Sequence, residues 1–542
     1  MKIVVLGGVA AGTKVAAKLM REDRSNEVII LNKGADISYA GCGLPYYVGH
    51  VIEEKGDLIV NTPAKYEGLT GAKVLVRTEA TRVDRAAKQV TAKNLDTQEE
   101  TVYPYDKLVI ATGASPLCPP IPGVELGNVF FMRTPQDAIA LRDVVAAGGV
   151  KRAVVVGAGY IGLEIAENLA KDGVKPFVLD MAPHVLPGFD EEFASYIERK
   201  LSDAGLPVVT GVRVTALEGA DGMVKKVVTD RKAYKCDLVV LSAGIRPNTA
   251  FLADTGLEMF KGTLLTNEQG QTNDPDVYAV GDCAMVRSAI TGKPAWSPMG
   301  STANINGRII AQNIMGKSLS YRGNLGTALC KLPGVNVGRT GLTEAQAKAE
   351  GFDPVSVITI VDDKAHYMPG AATFTMKMIA DRPTGRLLGV QVAGPGAVDK
   401  IVDIAVAGIM CKATLDDLDG ADFGYAPPFS TAIHPFAHTL NVLKNKLAGT
   451  FETFTPAEYA AGAAEGYRIV DASLQPTIPG APYVDLPKVT GPLEGIGPDE
   501  KILLVCNKGK RAYLVQNRLK AFGYRNVKVL EGGNLFTDFS EE

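Results

Sequence analysis

Two cysteines stand in settings suited to sulfur chemistry. Cys42 lies in SYAGCGLPYY (38–47), between two glycines and ahead of a proline and two tyrosines. No second cysteine falls within five residues of it, so no local redox pair is available. A thiolate there can attack a disulfide or persulfide sulfur and hold one half as a mixed disulfide, a substrate thiol standing in for a partner cysteine. Cys506 ends the apolar run ILLV and is followed by Asn507-Lys508-Gly509-Lys510-Arg511, which opens a helix. Such a loop aims successive N–H groups at one point, and the helix N-terminus and nearby cations are expected to favour the thiolate.

Thiols of this kind need elements that position a redox partner, and two segments have the pattern. KIVVLGGVAAGTKVAAKLM reads as a buried strand, a glycine turn (Gly7, Gly8, Gly12, with Ala10 at the helix start) and a helix whose free N–H groups suit a pyrophosphate. Val9 stands where the usual second glycine falls. The next strand, EVIILNK, ends in Asn32 and Lys33, with an uncharged amide where an acid usually meets the ribose. The second copy, RAVVVGAGYIGLEIAENLA, keeps full GxGxxG spacing at Gly157, Gly159 and Gly162, with Tyr160 and Ile161 opening the helix. Its following strand leads to Asp180, which suits a ribose 2′-hydroxyl, repels a 2′-phosphate and so favours NADH over NADPH.

Composition narrows the class. The chain has 542 residues, 46% hydrophobic and 22% charged, with a net charge of −3. That length predicts three or four domains. The charge balance offers no bulk attraction to nucleic acid or an anionic membrane. No apolar run reaches the ~20 residues of a membrane helix. The chain opens directly in a strand pattern, so no secretory leader is expected. Seven scattered cysteines with no CxxC pair argue against a disulfide framework and against zinc, and no metal site is predicted. A reducing cytoplasm is the expected location.

Two further stretches, YDKLVIATGASP (105–116) and TNDPDVYAVGDCA (272–284), resemble the paired signatures of two-dinucleotide-binding flavoproteins, and LVVLSAGIRPN (238–248) resembles the matching exit from their NADH domain. The resemblance spans about residues 1 to 450. It implies an α/β chain with two Rossmann-like domains, one for FAD (1–118 and 250–322, split) and one for NADH (119–249), and an α+β dimerisation domain (323–450). It places Thr112, Gly113 and Asp282 at the flavin nucleotide and Gly244 at NADH. The segment after 450 resembles a rhodanese domain (451–542, α/β), in which Cys506 would carry a persulfide. There Asp471 remains, but the arginine that usually follows it and the histidine before the Ile-x-Gly-Ala turn are missing. Fusion would give the two thiols a high effective concentration if the linker lets them meet.

At Cys42 the chain resembles the single-cysteine branch of the flavoprotein disulfide reductases, and within it the coenzyme A-disulfide and persulfide reductases. That likeness implies a homodimer in which Tyr367 and Tyr425 face the other subunit's Cys42 as catalytic phenols. It also implies contacts to coenzyme A or a related small sulfur substrate from Lys14, Lys18, Arg21, Ser38 and Asn304. Gly41 replaces a common asparagine and Ile433 a common lysine. His434, in AIHPF, echoes the catalytic histidine of glutathione reductase-type enzymes but aligns better with an Asp-Pro stretch, and it is assigned no role. The expected function is NADH-driven, FAD-dependent reduction of persulfide, polysulfide or coenzyme A disulfide through Cys42, with Cys506 handling sulfane sulfur. Two rivals stay open: an NADH oxidase or peroxidase cycling Cys42 through sulfenic acid, and a non-catalytic sulfur carrier or redox sensor. The remaining five cysteines read as structural.

Overall fold

Ile3, Val4, Val5 and Leu6 are all buried, as a parallel strand covered by chain on both faces requires. In the computed structural model, which describes residues 1–539, Lys2–Leu6 is the middle of a five-stranded sheet. It pairs in parallel with Glu27–Leu31 (Lys2 opposite Glu27) and with Lys107–Ile110 (Ile3 opposite Lys107). Lys73–Leu75 adds the edge beyond Glu27–Leu31, and Val277–Ala279, distant in sequence, adds the other edge. The crossover helix α1 (Ala10–Glu22) buries Val15, Ala16, Leu19 and Met20 against one face of this sheet. Helix Gly300–Ile314 covers α1, close enough that a side chain at Gly307 would press on Lys14.

A second sheet repeats the plan. Arg152–Val156 lies between Lys175–Leu179 (Arg152 opposite Lys175) and Leu238–Leu241 (Ala153 opposite Leu238), all parallel. Its crossover helix is Tyr160–Lys171, and Pro135–Ala146, capped by Thr134 and Asp137, precedes its central strand. The short helix carrying the first thiol's segment is α2 (Leu44–Val48). These elements belong to one compact unit, Met1–Pro183 with Val208–Asn324.

The second unit joins His184–Pro207 to the chain from Leu325. Its antiparallel sheet runs, in spatial order, Ala328–Leu332, Val335–Gly341, Leu387–Gly394, Thr373–Asp381, Pro354–Asp362. Helix α3 (Glu191–Asp203) meets this sheet through a buried ion cluster. Lys377, 1% exposed in mid-strand, lies 3.2 Å from Asp190, 3.2 Å from Glu344 and within an ion pair of Glu192. Burial opposes the ammonium charge, but three carboxylates overcome it and hold Lys377 above its ordinary value. Burial likewise opposes ionisation of Glu344, and Lys377 and Ser356 outweigh it, bringing the carboxyl down to about 2. Helix α4 (Pro435–Leu447) packs on Pro354–Asp362 and leads into the terminal module. That module is a four-stranded parallel sheet, ordered Thr453–Phe454, Val527–Leu530, Ile502–Val505, Arg468–Asp471, with α5 (Lys510–Ala521) beside it. Among the described residues no helix is long and apolar enough to cross a membrane.

Candidate active site

The two glycine turns have nearly identical geometry. Gly7 (φ 105°) and Gly157 (φ 112°) take the left-handed backbone that follows each central strand. A Cβ on Gly7 would lie 2.2 Å from the Ala111 carbonyl oxygen, and one on Gly157 2.3 Å from that of Ser242. Gly12 and Gly162 let each helix approach its own turn, where a Cβ would fall 1.9 Å from the carbonyl oxygen of Gly7 or Gly157. Gly159 faces open space, the opening a pyrophosphate needs, and Val9 holds that place in the first turn.

The residues ending each second strand brace these turns. Asn32 accepts the Gly8 N–H (3.0 Å) and donates to Gly34 and Asp36 carbonyls, so both amide hydrogens are committed to the backbone. Asp180 accepts the Ala158 N–H (2.6 Å) and the Ala182 N–H (2.8 Å). Lys33 is exposed and paired with Glu79. Asn248 stitches the returning segments: its amide donates to the Thr112 carbonyl, and the Thr112 hydroxyl donates to the Asn248 carbonyl. Gly113 and Gly244 both take positive φ, 66° and 112°. Asp282 pairs with Arg133 at 2.7 Å, a partner that the sequence reading missed because Arg133 belongs to no motif.

Cys42 occupies a tight turn, Gly41–Gly43, immediately before α2. It is exposed and unbridged. The protein around its sulfur nonetheless pushes the thiol up, Glu164 and Asp282 add to this, and Arg133 opposes it. Glu164 also accepts the Tyr46 hydroxyl at 3.1 Å. Glu164 lies inside the motif GYIGLE, whose glycines carry the nucleotide signal while its acid carries none. Arg142 clamps the far end of the segment, donating to the carbonyls of Tyr47, Ile52 and Glu53 and stacking on the Tyr47 ring at 4.3 Å. Ser38 has a left-handed φ of 48°, accepts from Asn61, and donates its own N–H to the Gly8 carbonyl. The cysteine segment and the first glycine turn are therefore directly bonded.

The proposed basic face is partly committed. Lys18 pairs with Glu22 on the same helix, Lys14 is half-buried, and Arg21 is exposed. Asn304 is exposed, its amide donating to the Gly300 carbonyl.

In the second unit, Tyr367 (64% exposed) and Tyr425 (50%) come together. Their phenols are neighbours, and the proximity of Tyr367 raises Tyr425 above the ordinary phenol value. Phe429 and Ile433, both well exposed, lie close by in sequence. His434 is buried and accepts the Phe436 N–H as the N-cap of α4; burial, then Lys400, bring its imidazole down to about 4. That capping bond gives it a structural task.

Cys506 is buried and unbridged, and the Ala512 N–H donates to its sulfur at 3.4 Å. Arg511 does not stand free over the thiol. It donates to the Ala472 carbonyl and pairs with Asp485 at 3.1 Å, fixing the loop to the neighbouring strand end. Asp471 accepts N–H groups from Ser473, Thr477 and Ile478, so it shapes the loop that lacks the usual arginine.

Three family models cover nearly the whole chain. Pyridine nucleotide-disulphide oxidoreductase matches residues 1–302, its dimerisation domain 327–437, and the rhodanese-like domain 443–535. The chain is 36% identical over 448 residues to the NAD(P)H coenzyme A polysulfide/persulfide reductase of Pyrococcus horikoshii, covering 82% of this chain and 98% of that protein. It is 32% identical over 451 residues to an NADH oxidase of Methanocaldococcus jannaschii, covering 82% and 100%. Two solved structures match along its length. Reduced CoADR-RHD of Bacillus anthracis has a TM-score of 0.94 at 32% identity (99% of this chain, 97% of that one). The NAD-dependent persulfide reductase of A. fulgidus has 0.93 at 34% (99% and 100%). The paired glycine cradles fit the two dinucleotides, FAD and NAD(P)H, that such enzymes use. With both cradles, the dimerisation sheet and the terminal module in one polypeptide, the chain belongs to the pyridine nucleotide-disulphide oxidoreductase family, in its rhodanese-fused form.

Proposed function

We propose that this protein is an NADH-dependent, FAD-containing reductase of persulfide, polysulfide or coenzyme A disulfide sulfur, with Cys42 as the reducing thiol and Cys506 as a carrier of sulfane sulfur. One observation carries the reading: a single chain holds an unbridged Cys42 bonded through its segment to a nucleotide turn, and a rhodanese thiol. FAD, when bound, accepts a hydride from NADH and makes two electrons available for sulfur reduction.

The chain's own residues account for the rest. Cys42 thiolate attacks the sulfane sulfur of a persulfide, the S–S bond breaks, and the thiol leaves as thiolate. Two electrons and one proton then convert the Cys42 persulfide to thiolate and hydrogen sulfide. Burial, Glu164 and Asp282 work against that thiolate from within its own unit and outweigh the help from Arg133. Its stabilisation must come from elsewhere, and the Tyr367–Tyr425 pair, reaching across a homodimer interface, is suited to it. The raised value of Tyr425 keeps its proton in place for donation. Lys14, Lys18, Arg21, Ser38 and Asn304 are assigned to the phosphate-bearing end of a coenzyme A-like substrate, with Glu22 offsetting part of the charge. Asp180 selects NADH, and a reducing cytoplasm keeps both thiols unbridged. This reading divides the chain as expected from the sequence, with the split FAD domain at 1–118 and 250–322.

An acceptor screen tests the proposal. NADH oxidation is followed with polysulfide, coenzyme A persulfide, coenzyme A disulfide, peroxide and oxygen. Faster turnover on a sulfur acceptor is expected. Preferential consumption of oxygen or peroxide would favour the oxidase reading, which the Methanocaldococcus relative keeps open.

A further inference from the structure

Glu531 is a deeply buried carboxylate of the terminal module, 1% exposed, and the chemistry above does not use it. A buried carboxylate is costly unless its oxygens are fully bonded. Here they are, and most partners lie outside the module's own sheet. Oε2 accepts the Ile358 N–H of strand Pro354–Asp362 at 2.7 Å. Oε1 accepts the Lys446 ammonium of α4 at 2.7 Å and the Thr453 hydroxyl at 2.6 Å. Lys446 also donates to the Ser356 carbonyl on the same strand. One carboxylate thus joins the terminal module to the dimerisation sheet and to the helix before it.

The residues that follow reach the backbone of Cys506. Gly533 lies so close to the Cys506 loop that a Cβ on it would fall 1.6 Å from the Cys506 carbonyl oxygen. Leu535 and Phe536 continue onto α3: Arg199 donates to the Leu535 carbonyl, and the Phe536 ring stacks on Tyr196 at 5.1 Å. On the other side of the Cys506 loop, Tyr513 of α5 meets Phe451 edge-on and accepts from Asn445. Lys510, which opens α5, acts on His438 of α4; burial and then this charge lower His438, and Asp362 opposes them.

We infer that Glu531 is a positioning residue for Cys506: by bonding the dimerisation sheet and Lys446 it seats the 531–536 turn, and that turn sets where the Cys506 loop lies against α4. The terminal module is a docked part of its unit and not a freely tethered carrier. The inference rests on Cys506 being the sulfur-carrying thiol.

The test is the rate at which Cys506 acquires a persulfide from polysulfide in the full-length, FAD-loaded protein, read on its own peptide by mass spectrometry. Cys42 in the same molecule is the internal control. In Glu531→Gln the amide cannot accept from Lys446, Thr453 and Ile358 together, and loading is expected to slow about tenfold, as displacement of a reacting group does. Thr453→Val removes one bond only and keeps the test valid if the first variant folds poorly; about a threefold loss is expected. The pH profile of Cys506 alkylation separates placement from loosening. Misplacement moves the midpoint, whereas simple loosening exposes the thiol and speeds alkylation at every pH with the midpoint unchanged. That second pattern, or wild-type loading in both variants, would overturn the inference. Failure of the wild-type protein to load Cys506 at all would overturn the carrier reading and this inference with it.

Discussion

Cys42 and Cys506 bring the same functional group into opposite surroundings. Cys42 is exposed, sits in a three-residue turn, and has two carboxylates among its nearest charges. Cys506 is buried, accepts an N–H from its own helix, and is followed by Lys508, Lys510 and Arg511. A thiol that must accept electrons and release product gains from access. One that must hold a reactive sulfane sulfur gains from enclosure and fixed donors. On the proposed reading the labour is divided: the first site would take part of its stabilisation from groups brought by cofactor, substrate or partner, and the second encloses its sulfur within its own loop.

The largest expected effect breaks the pair apart. Cys42→Ser should lower turnover on every sulfur acceptor by about a thousandfold or more, the scale of losing a covalent nucleophile. Bleaching of the flavin by NADH in a stopped-flow spectrometer should persist. Cys506→Ser should leave direct reduction of coenzyme A disulfide unchanged and slow only reactions that need sulfane transfer. Equal losses from the two substitutions on all acceptors would show that the sites are not separate. A smaller effect sharpens the electrostatic contrast. Glu164→Gln removes a carboxylate that holds the Cys42 thiol up. The thiolate fraction near neutral pH should rise, and Cys42 alkylation should quicken by about threefold. Cys506 in the same sample should not respond.

Much of this arrangement is legible locally. IVVL and ILLV are buried runs, and glycines at fixed offsets leave few choices for the turn that follows. The Lys508–Arg511 cluster marks a helix start behind a thiol. What the sequence hides is pairing over long distances. Glu531, in LEGG, reads as an ordinary turn acid, yet its Ile358 partner is 173 residues away. Lys377, in TFTMKMIAD, fits the alternation of a strand with one wet face, yet it is buried among carboxylates from Asp190, Glu192 and Glu344. Arg511 reads as a cation for the thiol and is spent instead on Ala472 and Asp485. Periodicity reports which face is apolar; it carries no address for the partner of a buried charge.

A further effect concerns acid, and it should reach the Cys506 seam before the Cys42 segment. His434 caps α4, the helix that carries Lys446 to Glu531. In the folded protein its imidazole stays neutral down to about 4, against an ordinary value of 6.5. The unfolded chain binds a proton there first, so unfolding takes up a proton between these limits. Stability is complete above about pH 6.5 and declines as pH falls toward 4, by up to ~3 kcal/mol if the cap alone titrates. Protonation also turns the Nδ1 acceptor into a donor, and the Phe436 N–H loses its partner. Hydrogen exchange, corrected for intrinsic rates, should therefore show residues 435–447 and 531–535 losing protection together between pH 7 and 5. Leu44–Val48 is held by Arg142 bonds to the Tyr47, Ile52 and Glu53 carbonyls, which do not run through the exposed His50 ring that Arg142 also meets, and should keep theirs. His434→Asn retains a capping acceptor and removes the titration, so the loss should vanish in that variant. Equal loss of protection in both segments, or its survival in His434→Asn, would mean that acid acts through the ion clusters and not through this cap.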